Sequence, residues 1–363
     1  MLAREAGYVP ALTGLRGVAA WWVVLYHFSD PLVGLASPWV LAVVRNGYLA
    51  VDLFFILSGY VIYITSGESL RTLGRWVVSR FLLNRIIRIY PLHLAMMIIY
   101  LVNPLALWLF SSSGDVGEGR YDFGYYVASV FLVQNWGVYD VLQWNVPAWS
   151  ISTEFAAYLL CPLLVALCVG RLSASFWKLV SMVALLAVLV GLIFSAFGLD
   201  SIGEKITSLG LVRCVLEFWM GLCLGAASRF VGLVSNRWRI FNSVIIFVLV
   251  LFSVFLGKIG IPNYWFVPAV CALLILVLSR GDFLFSGVLS FAWIHYLGVI
   301  SYSTYLVHFF IKDWVKFLSE SVGGYQFFFY VSLVFFVSMA LYRYVEEPAR
   351  RFLRRRLIVK GVP

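Results

Sequence analysis

The sequence is poor in charged residues. Of its 363 residues only 12% are charged, whereas 63% are hydrophobic. Water-soluble domains carry about a quarter charged residues and about half apolar ones. The mean hydropathy is +0.94, and apolar runs such as 176–199 are long enough to cross a hydrocarbon core of about 30 Å. This composition excludes a soluble globular domain and predicts a polytopic membrane protein.

Signals for metal, disulfide and nucleic-acid binding are also lacking. The chain has 4 histidines and 5 cysteines, and no cysteine has metal-ligand spacing with a histidine. We therefore expect no metal site and no disulfide framework. The net charge is +10, but the basic residues bracket the apolar runs instead of forming one stripe. We therefore expect no nucleic-acid partner.

Hydropathy predicts an all-α fold with about ten transmembrane helices. The predicted spans are 10–29, 47–66, 89–110, 147–169, 176–198, 207–228, 241–257, 264–279, 291–311 and 325–345. The N-terminus shows no cleavable signal peptide, so the first span is expected to stay in the mature protein. Most of the 27 basic residues then fall in inner segments, and the positive-inside rule predicts that both termini are cytoplasmic.

The two ends of the chain have separate roles in this scheme. We expect a single transmembrane domain over residues 1–363. Its last segment, 346–363, is rich in arginine and is predicted to be a basic cytoplasmic tail that contacts anionic membrane lipid.

The first span carries two ionisable residues, whose burial in a membrane costs free energy. In "LTGLRGVAAWWVVLYHF", Arg16 and His27 are eleven residues apart, which places them on one helix face about 16 Å apart. The predicted topology puts His27 near the external end. Asp52, Glu154 and His308 also lie near external ends of their spans, so we expect these four residues to converge on one level. Buried ionisable groups of this kind are functional or tightly paired.

A second layer of charge is predicted at the cytoplasmic side. Arg85 and Arg88 in "NRIIRIYP" are three residues apart and share a helix face with one another. Together with Arg16 they present guanidinium groups, which suit a phosphorylated ligand. A structural interpretation stays open for each residue alone. Arginines near a membrane surface snorkel or mark the inner side, a buried histidine can donate to a backbone carbonyl, and carboxylates can cap helix starts.

Three further residues are candidates for contact with a substrate. Arg213 and Glu217 occupy positions i and i+4 of one span, so they form a buried structural salt bridge or line a substrate site. Trp149 begins the segment "WSISTE", which also carries Glu154. We take Arg213, Glu217 and Trp149 as candidate substrate-binding residues.

The two layers suggest acyl transfer. A neutral histidine beside a carboxylate is a common general base for a hydroxyl group, and burial keeps a free imidazole neutral. A donor that is held by its phosphates and reaches into the membrane through a thin flexible arm fits acyl-coenzyme A. The catalytic candidates are therefore His27, Asp52, Glu154 and His308, and the donor-binding candidates are Arg16, Arg85 and Arg88.

The same segments resemble the acyltransferase-3 family of integral-membrane O-acyltransferases. The matching segments occur in the family's order and cover nearly the whole chain: "LTGLRGVAAWWVVLYHF", "GYLAVDLFFILSGYVI", "FLLNRIIRIYPLHL", "NVPAWSISTEFAAYLLCP", "RCVLEFWMGLCLG", "SYSTYLVH" and "YRYVEEPARRF". The resemblance implies an acetyl-coenzyme A donor in the cytoplasm, with Arg16 at the donor and His27 as the base. It also implies a sugar hydroxyl of a cell-envelope polysaccharide or lipid-linked glycan as acceptor, outside a bacterial cytoplasmic membrane.

Some members of that family carry a fused soluble esterase-like domain, and we expect none in this chain. Two other functions compete with acyl transfer. A transporter or flippase for a lipid-linked oligosaccharide would use buried charges to line its path, but its usual paired broken helices are not evident in the sequence. A membrane scaffold in a polysaccharide export complex would leave the spacing of Arg16 and His27 unexplained.

Overall fold

The computed structural model describes residues 9–110, 119–172, 175–230, 243–245, 247–250, 260–280, 286–319 and 323–359. All regular secondary structure in these ranges is helical, which confirms the all-α prediction. Apart from the three-residue helical turns Glu68–Leu70 and Gly170–Leu172, the first seven helices are α1 (Pro10–His27), α2 (Pro38–Arg45), α3 (Ala50–Ile62), α4 (Arg75–Tyr100), α5 (Val102–Phe110), α6 (Phe123–Val130) and α7 (Trp149–Leu163). The next eight are α8 (Phe176–Ala196), α9 (Ile206–Ser228), α10 (Val267–Ser279), α11 (Ser286–Leu289), α12 (Ala292–Val299), α13 (Ser301–Leu318), α14 (Gly324–Leu341) and α15 (Glu347–Arg354).

Several helices are long and apolar enough to cross a membrane. The described residues contain 6 such helical stretches: Pro38–Leu70, Arg75–Phe110, Val146–Ala166, Phe176–Ala196, Ile206–Ser228 and Gly324–Ile358. The count becomes 7 if α12 and α13, which meet at an angle of 68°, form one bent span. Each of these stretches contains or overlaps one predicted span, so the polytopic membrane architecture is confirmed.

The remaining three predicted spans differ from these stretches. Span 10–29 corresponds to α1, which is 18 residues long. Arg16 and His27 lower its mean hydropathy, so it is not among the stretches above. Span 264–279 corresponds to the 13-residue helix α10, which is short for a membrane crossing. Span 241–257 falls largely outside the described residues. The total of about ten spans and the orientation of the termini stay predictions.

Helices α3 and α9 pack closely because two glycines lie at their crossing. A Cβ atom on Gly59 would lie 2.0 Å from the carbonyl oxygen of Phe218, and one on Gly221 would lie 2.0 Å from that of Ile56. Small residues let the backbones of membrane helices approach in this way. The crossing brings α3 close enough to α9 for side chains of the two helices to form direct ion pairs.

Helix α1 is held against α12 by a similar contact. A Cβ atom on Gly17 would lie 2.5 Å from the backbone nitrogen of Gly298, and one on Gly298 would lie 1.8 Å from the carbonyl oxygen of Thr13. Helix α1 also packs against α13. Arg16 therefore lies where α12 ends and α13 begins, and His27 lies further along α13, beside His308.

Residues 119–148 form a cap that is tied to the helices by hydrogen bonds. The backbone N–H of Asn135 donates to Ser152 Oγ at 3.2 Å, which fastens the cap to α7. The side-chain amide of Asn145 donates to the carbonyl oxygen of Leu306 at 3.0 Å, which fastens it to α13.

An ion pair joins the start of this cap to α13. Arg120 Nη2 lies 2.5 Å from Asp313 Oδ2. Burial, the largest single influence, lowers the pKa of Arg120, but the charge and hydrogen bond of Asp313 together with Tyr121 and Tyr100 outweigh it, and the pKa is raised above its ordinary value. The guanidinium group therefore stays charged and holds the cap in place at any physiological pH.

The glycine crossing gives a testable prediction. Gly59→Ala or Gly221→Ala forces α3 and α9 apart, and overpacking of this kind typically costs about 1–3 kcal/mol. Gly287→Ala in α11 is the control, because a Cβ atom there meets nothing within 4 Å and alanine favours a helix over glycine by about 1 kcal/mol. Thermal unfolding in detergent should show a lower midpoint for the first two variants and no loss for the third. Equal midpoints for all three would contradict the close crossing.

Candidate functional site

Two histidines lie together where α1 ends. The ring centroids of His27 and His308 are 5.2 Å apart. His308 is fully buried, and its Nδ1 lies 2.7 Å from the carbonyl oxygen of Tyr305. A carbonyl oxygen can only accept, so Nδ1 carries the proton and Nε2 carries the lone pair. That Nε2 atom has no hydrogen-bond partner in the described part of the chain, so it is available to an N–H group of His27.

Aromatic rings surround His27. Tyr26 lies 4.9 Å and Phe309 lies 5.4 Å from it between ring centroids. The ammonium group of Lys312 sits over the Phe309 ring, 3.2 Å from its centroid. No hydrogen bond to His27 is formed within the described ranges. The imidazole of His27 therefore packs against aromatic rings but makes no hydrogen bond with the described residues.

A cavity of about 280 Å³ opens beside His27. Its wall is aromatic and polar, and the residues that matter for its chemistry are Tyr26, Tyr48, Trp149, Glu204, Arg213 and Tyr305. The cap contributes to the wall through 142, 146 and 147. Trp149 and Arg213, two of the predicted substrate-binding residues, thus line the space next to His27, whereas the third, Glu217, does not.

Asp52 is placed differently from the prediction, which put it opposite His27. Arg213 Nε donates to Asp52 Oδ1 at 2.8 Å, and Glu217 Oε1 lies 3.9 Å from the same Nε atom. The side chains of Asp52, Arg213 and Glu217 are at most 2% exposed. The close approach of α3 and α9 makes this pairing possible. Asp52 is thus the counter-ion of Arg213, and the partner that the structure gives His27 is His308.

Glu154 interacts with residues of the arginine layer and also with Tyr305 at the cavity. The Tyr158 hydroxyl donates to Glu154 Oε1 at 2.5 Å, and Glu154 interacts electrostatically with Arg16 and Arg85. It lies five residues after Trp149 on α7, which is about 7.5 Å further along the helix. Glu154 therefore belongs to the arginine layer. Its place inside the helix rather than at the first turn also argues against a capping role.

The three predicted donor arginines are brought together. Arg16 Nη2 donates to Ser301 Oγ at 3.1 Å and interacts electrostatically with Arg88, which in turn interacts with Arg85. Arg85 Nε is buried without a hydrogen-bond partner among the described residues. Arg88 makes no hydrogen bond or close ion pair in the same ranges. The cluster has unused N–H donors and repelling positive charges, which is the chemistry that binds an anion with several oxygens.

Glu346 is a buried residue of this layer that the sequence analysis assigned to the tail. It is 4% exposed, accepts a hydrogen bond of 2.6 Å from Ser303 Oγ and interacts electrostatically with Arg88 and Arg16. In the structure the buried residues Tyr330, Val334 and Ser338 recur every four positions, and Glu346 lies two steps further along the same series. The sequence carries no signal for this face, because the segment before it is apolar on every side.

These features define a class of protein. It is a polytopic helical membrane protein in which one helix joins a cationic, anion-binding layer to a histidine pair at a cavity. Among the described residues no three metal-ligating side chains converge.

Comparison with known proteins identifies the family within that class. The profile of the acyltransferase domain family matches residues 9–343, and the chain belongs to this family. The resemblance to acyltransferase-3 proteins is therefore confirmed, and the protein is a membrane O-acyltransferase.

Two relatives illustrate the similarity. The acyltransferase MdmB of Streptomyces mycarofaciens is 27% identical over 390 residues, which cover 98% of this chain and 95% of the relative. The peptidoglycan O-acetyltransferase OatA of Listeria monocytogenes is 24% identical over 377 residues, which cover 95% of this chain but 56% of the relative. This chain therefore spans little more than half the length of OatA. No solved structure matches the chain.

The cluster of Asp52, Arg213 and Glu217, which we call the buried triad, gives a second prediction. Arg213→Met leaves two carboxyl groups buried without their cation, and breaking such a pair typically costs about 3–5 kcal/mol. Arg71→Met is the matched control, because its partner Glu68 is 61% exposed and surface pairs contribute about 0–1 kcal/mol. Thermal and denaturant unfolding in detergent should separate the two variants clearly. Arg213→Lys should recover part of the loss, and equal effects at positions 71 and 213 would refute the triad's structural role.

Proposed function

We propose that the protein transfers an acyl group, most simply acetyl, from cytoplasmic acyl-coenzyme A to a sugar hydroxyl of an extracytoplasmic glycan. The observation that carries the proposal is the layout of α1. Arg16 and His27 lie on one face of this helix about 16 Å apart, and each sits in its own cluster. The clusters are the arginine layer and the histidine pair beside the cavity.

The residues of the arginine layer fit the phosphates of the donor. Arg85 has a buried N–H without a partner, and Arg16 uses one N–H on Ser301. These groups, with Arg88, would hold the phosphates, and Glu154 and Glu346 offset the mutual repulsion of the guanidinium groups. Coenzyme A supplies an acyl group activated as a thioester.

His27 acts as the general base of the proposed reaction. In the reacting state a small movement of the two rings, whose centroids are 5.2 Å apart, would let His27 donate an N–H to the unpartnered Nε2 of His308, which leaves the other nitrogen of His27 free to take the acceptor's proton. The acceptor oxygen then bonds to the carbonyl carbon, the carbon–sulfur bond breaks, and the proton on His27 passes to the leaving thiolate. His308 is a positioning residue in this scheme because it acts through His27.

The cavity beside His27 is the proposed acceptor site. The family and the printed name of the Listeria relative favour a cell-envelope glycan such as a peptidoglycan or another envelope polysaccharide. The site would then face the extracytoplasmic side of a bacterial cytoplasmic membrane, as the charge asymmetry of the loops predicts. Membership of an acyltransferase family favours this function over the transporter and scaffold alternatives.

A donor assay tests the proposal directly. With purified protein in nanodiscs and radiolabelled acetyl-coenzyme A, Arg16→Ala should lose donor binding at least tenfold, since a charged hydrogen bond to phosphate contributes about 1.5–3 kcal/mol. His27→Ala should bind the donor normally but release coenzyme A at least 100-fold more slowly, the usual scale for a lost general base. The exposed Arg343→Ala is the control and should behave like the wild type. Unchanged binding in Arg16→Ala, or unchanged turnover in His27→Ala, would refute the proposal.

The histidine pair gives a separate prediction. His308→Leu removes the acceptor for the His27 N–H, so kcat should fall about 10- to 100-fold, a typical cost of a lost orienting partner, while the donor KM stays the same. His308→Gln should recover part of kcat because its amide oxygen can accept the same hydrogen bond. Steady-state kinetics with both variants distinguish this role from a folding defect, in which Gln and Leu would lose activity together with folded protein.

A further inference from the structure

The charge of the cavity beside His27 points to the kind of acceptor it takes. Only two residues that line it carry full charges, Glu204 and Arg213. Arg213 is neutralised by Asp52 at 2.7 Å, with Glu217 close behind. Glu204 forms no ion pair within the described ranges. The cavity therefore presents to a ligand the exposed carboxylate of Glu204, which is not paired with a cation among the described residues.

The cation next to Glu204 in the chain is directed elsewhere. The ammonium group of Lys205 lies 5.2 Å from the centroid of the Phe197 ring, and Lys205 does not line the cavity. Glu204 itself is held firmly, because its Oε1 accepts the backbone N–H groups of Ser201 at 2.6 Å and Asp200 at 3.1 Å. Its Oε2 makes no hydrogen bond with any described residue and stays available to a ligand.

The rest of the wall suits a ring that carries hydroxyl groups. Tyr26, Tyr48, Trp149 and Tyr305 supply aromatic faces, which combine apolar area with polar edges. The Tyr48 hydroxyl oxygen already accepts from Ser201 Oγ at 3.0 Å and from the Asn263 side-chain amide at 2.8 Å. Its own proton is thus free to donate. At about 280 Å³ the cavity is slightly smaller than the usual ligand sites of about 300 to 1,000 Å³, which suits a single ring.

We propose that the cavity binds a single sugar-sized ring that is neutral or cationic, and that Glu204 excludes rings bearing a carboxylate or phosphate beside the reacting hydroxyl. This inference rests on the proposed role of the cavity as the acceptor site. Glu204 accepts hydroxyl hydrogen bonds through Oε2, Tyr48 donates one, and the aromatic faces pack on the ring. An acid group in the same place would face the Glu204 carboxylate and would be repelled.

The test compares three ligands of equal size that differ in charge. Methyl glucoside, methyl glucosaminide and methyl glucuronide are titrated against the protein in nanodiscs without donor, and binding is followed by saturation-transfer NMR. The glucuronide should bind at least tenfold more weakly than the glucoside, in line with about 1.4 kcal/mol of repulsion for a partly screened pair of charges. Added salt should reduce this difference in affinity between the glucoside and the glucuronide, which we call the affinity gap, because salt screens the repulsion.

Two variants assign the selectivity to Glu204. Glu204→Gln keeps an oxygen for the backbone N–H groups of Asp200 and Ser201 but removes the charge, so the gap should shrink to about twofold. Asp200→Asn removes a charge from the same loop at a residue that does not line the cavity, and the gap should stay as in the wild type.

The outcomes separate this inference from the proposed function. If none of the ligands binds, if the glucuronide binds as well as the glucoside, or if Glu204→Gln leaves the gap unchanged, the inference is overturned. Coenzyme A release from acetyl-coenzyme A in the same nanodiscs reports on the proposed function alone. Charge-selective binding without any donor binding or turnover would overturn the proposed function but keep the cavity assignment.

Discussion

The cost of placing ionisable groups among apolar helices is the constraint that organises this protein. A membrane interior offers no water to a charge, so each buried group needs a partner within the protein or a ligand that supplies one. Asp52 and Arg213 form a direct ion pair, and Glu217 lies 3.9 Å from the same guanidinium group, although Asp52 Oδ2 and both Glu217 carboxylate oxygens have no hydrogen-bond partner among the described residues. The arginine layer and the histidine pair are only partly satisfied, with an unpartnered Nε on Arg85 and an unpartnered Nε2 on His308. Buried polar atoms without a partner in the described part of the chain thus occur in all three clusters, and the proposed function assigns ligands to two of them.

Close helix crossings determine which ionisable groups lie near one another. The contacts at Gly59 and Gly221 bring α3 and α9 together at the depth of the buried triad, and the contact of Gly17 with Gly298 places Arg16 beside the start of α13. Because Arg16 and His27 belong to one rigid helix, the distance between the two clusters is set by helix geometry alone. In the proposed function this fixed separation places the donor's phosphates at one end of α1 and the base at the other.

Much of this arrangement could be predicted from the sequence. Composition and hydropathy predict the helical membrane fold, and the spacings of Arg16 with His27 and of Arg85 with Arg88 predict the two layers. The pairing of carboxylates could not be predicted, because it depends on how helices cross. The sequence predicts both Asp52 and Glu154 near His27. The α3–α9 crossing instead pairs Asp52 with Arg213. Glu154 lies further along α7, where it interacts with Arg16. The burial of Glu346 could not be predicted, because its charged neighbours in the sequence indicate a solvated tail.

The central claim is that one donor molecule spans the two clusters of α1. The most direct measurement is a cryo-electron-microscopy structure of the His27→Ala variant in nanodiscs with acetyl-coenzyme A, in which turnover is blocked. The account predicts phosphate density among Arg16, Arg85 and Arg88, and density for the thioester within reach of position 27 and the cavity. Phosphate density at Lys312 and Lys316, with the arginine layer empty, would contradict it.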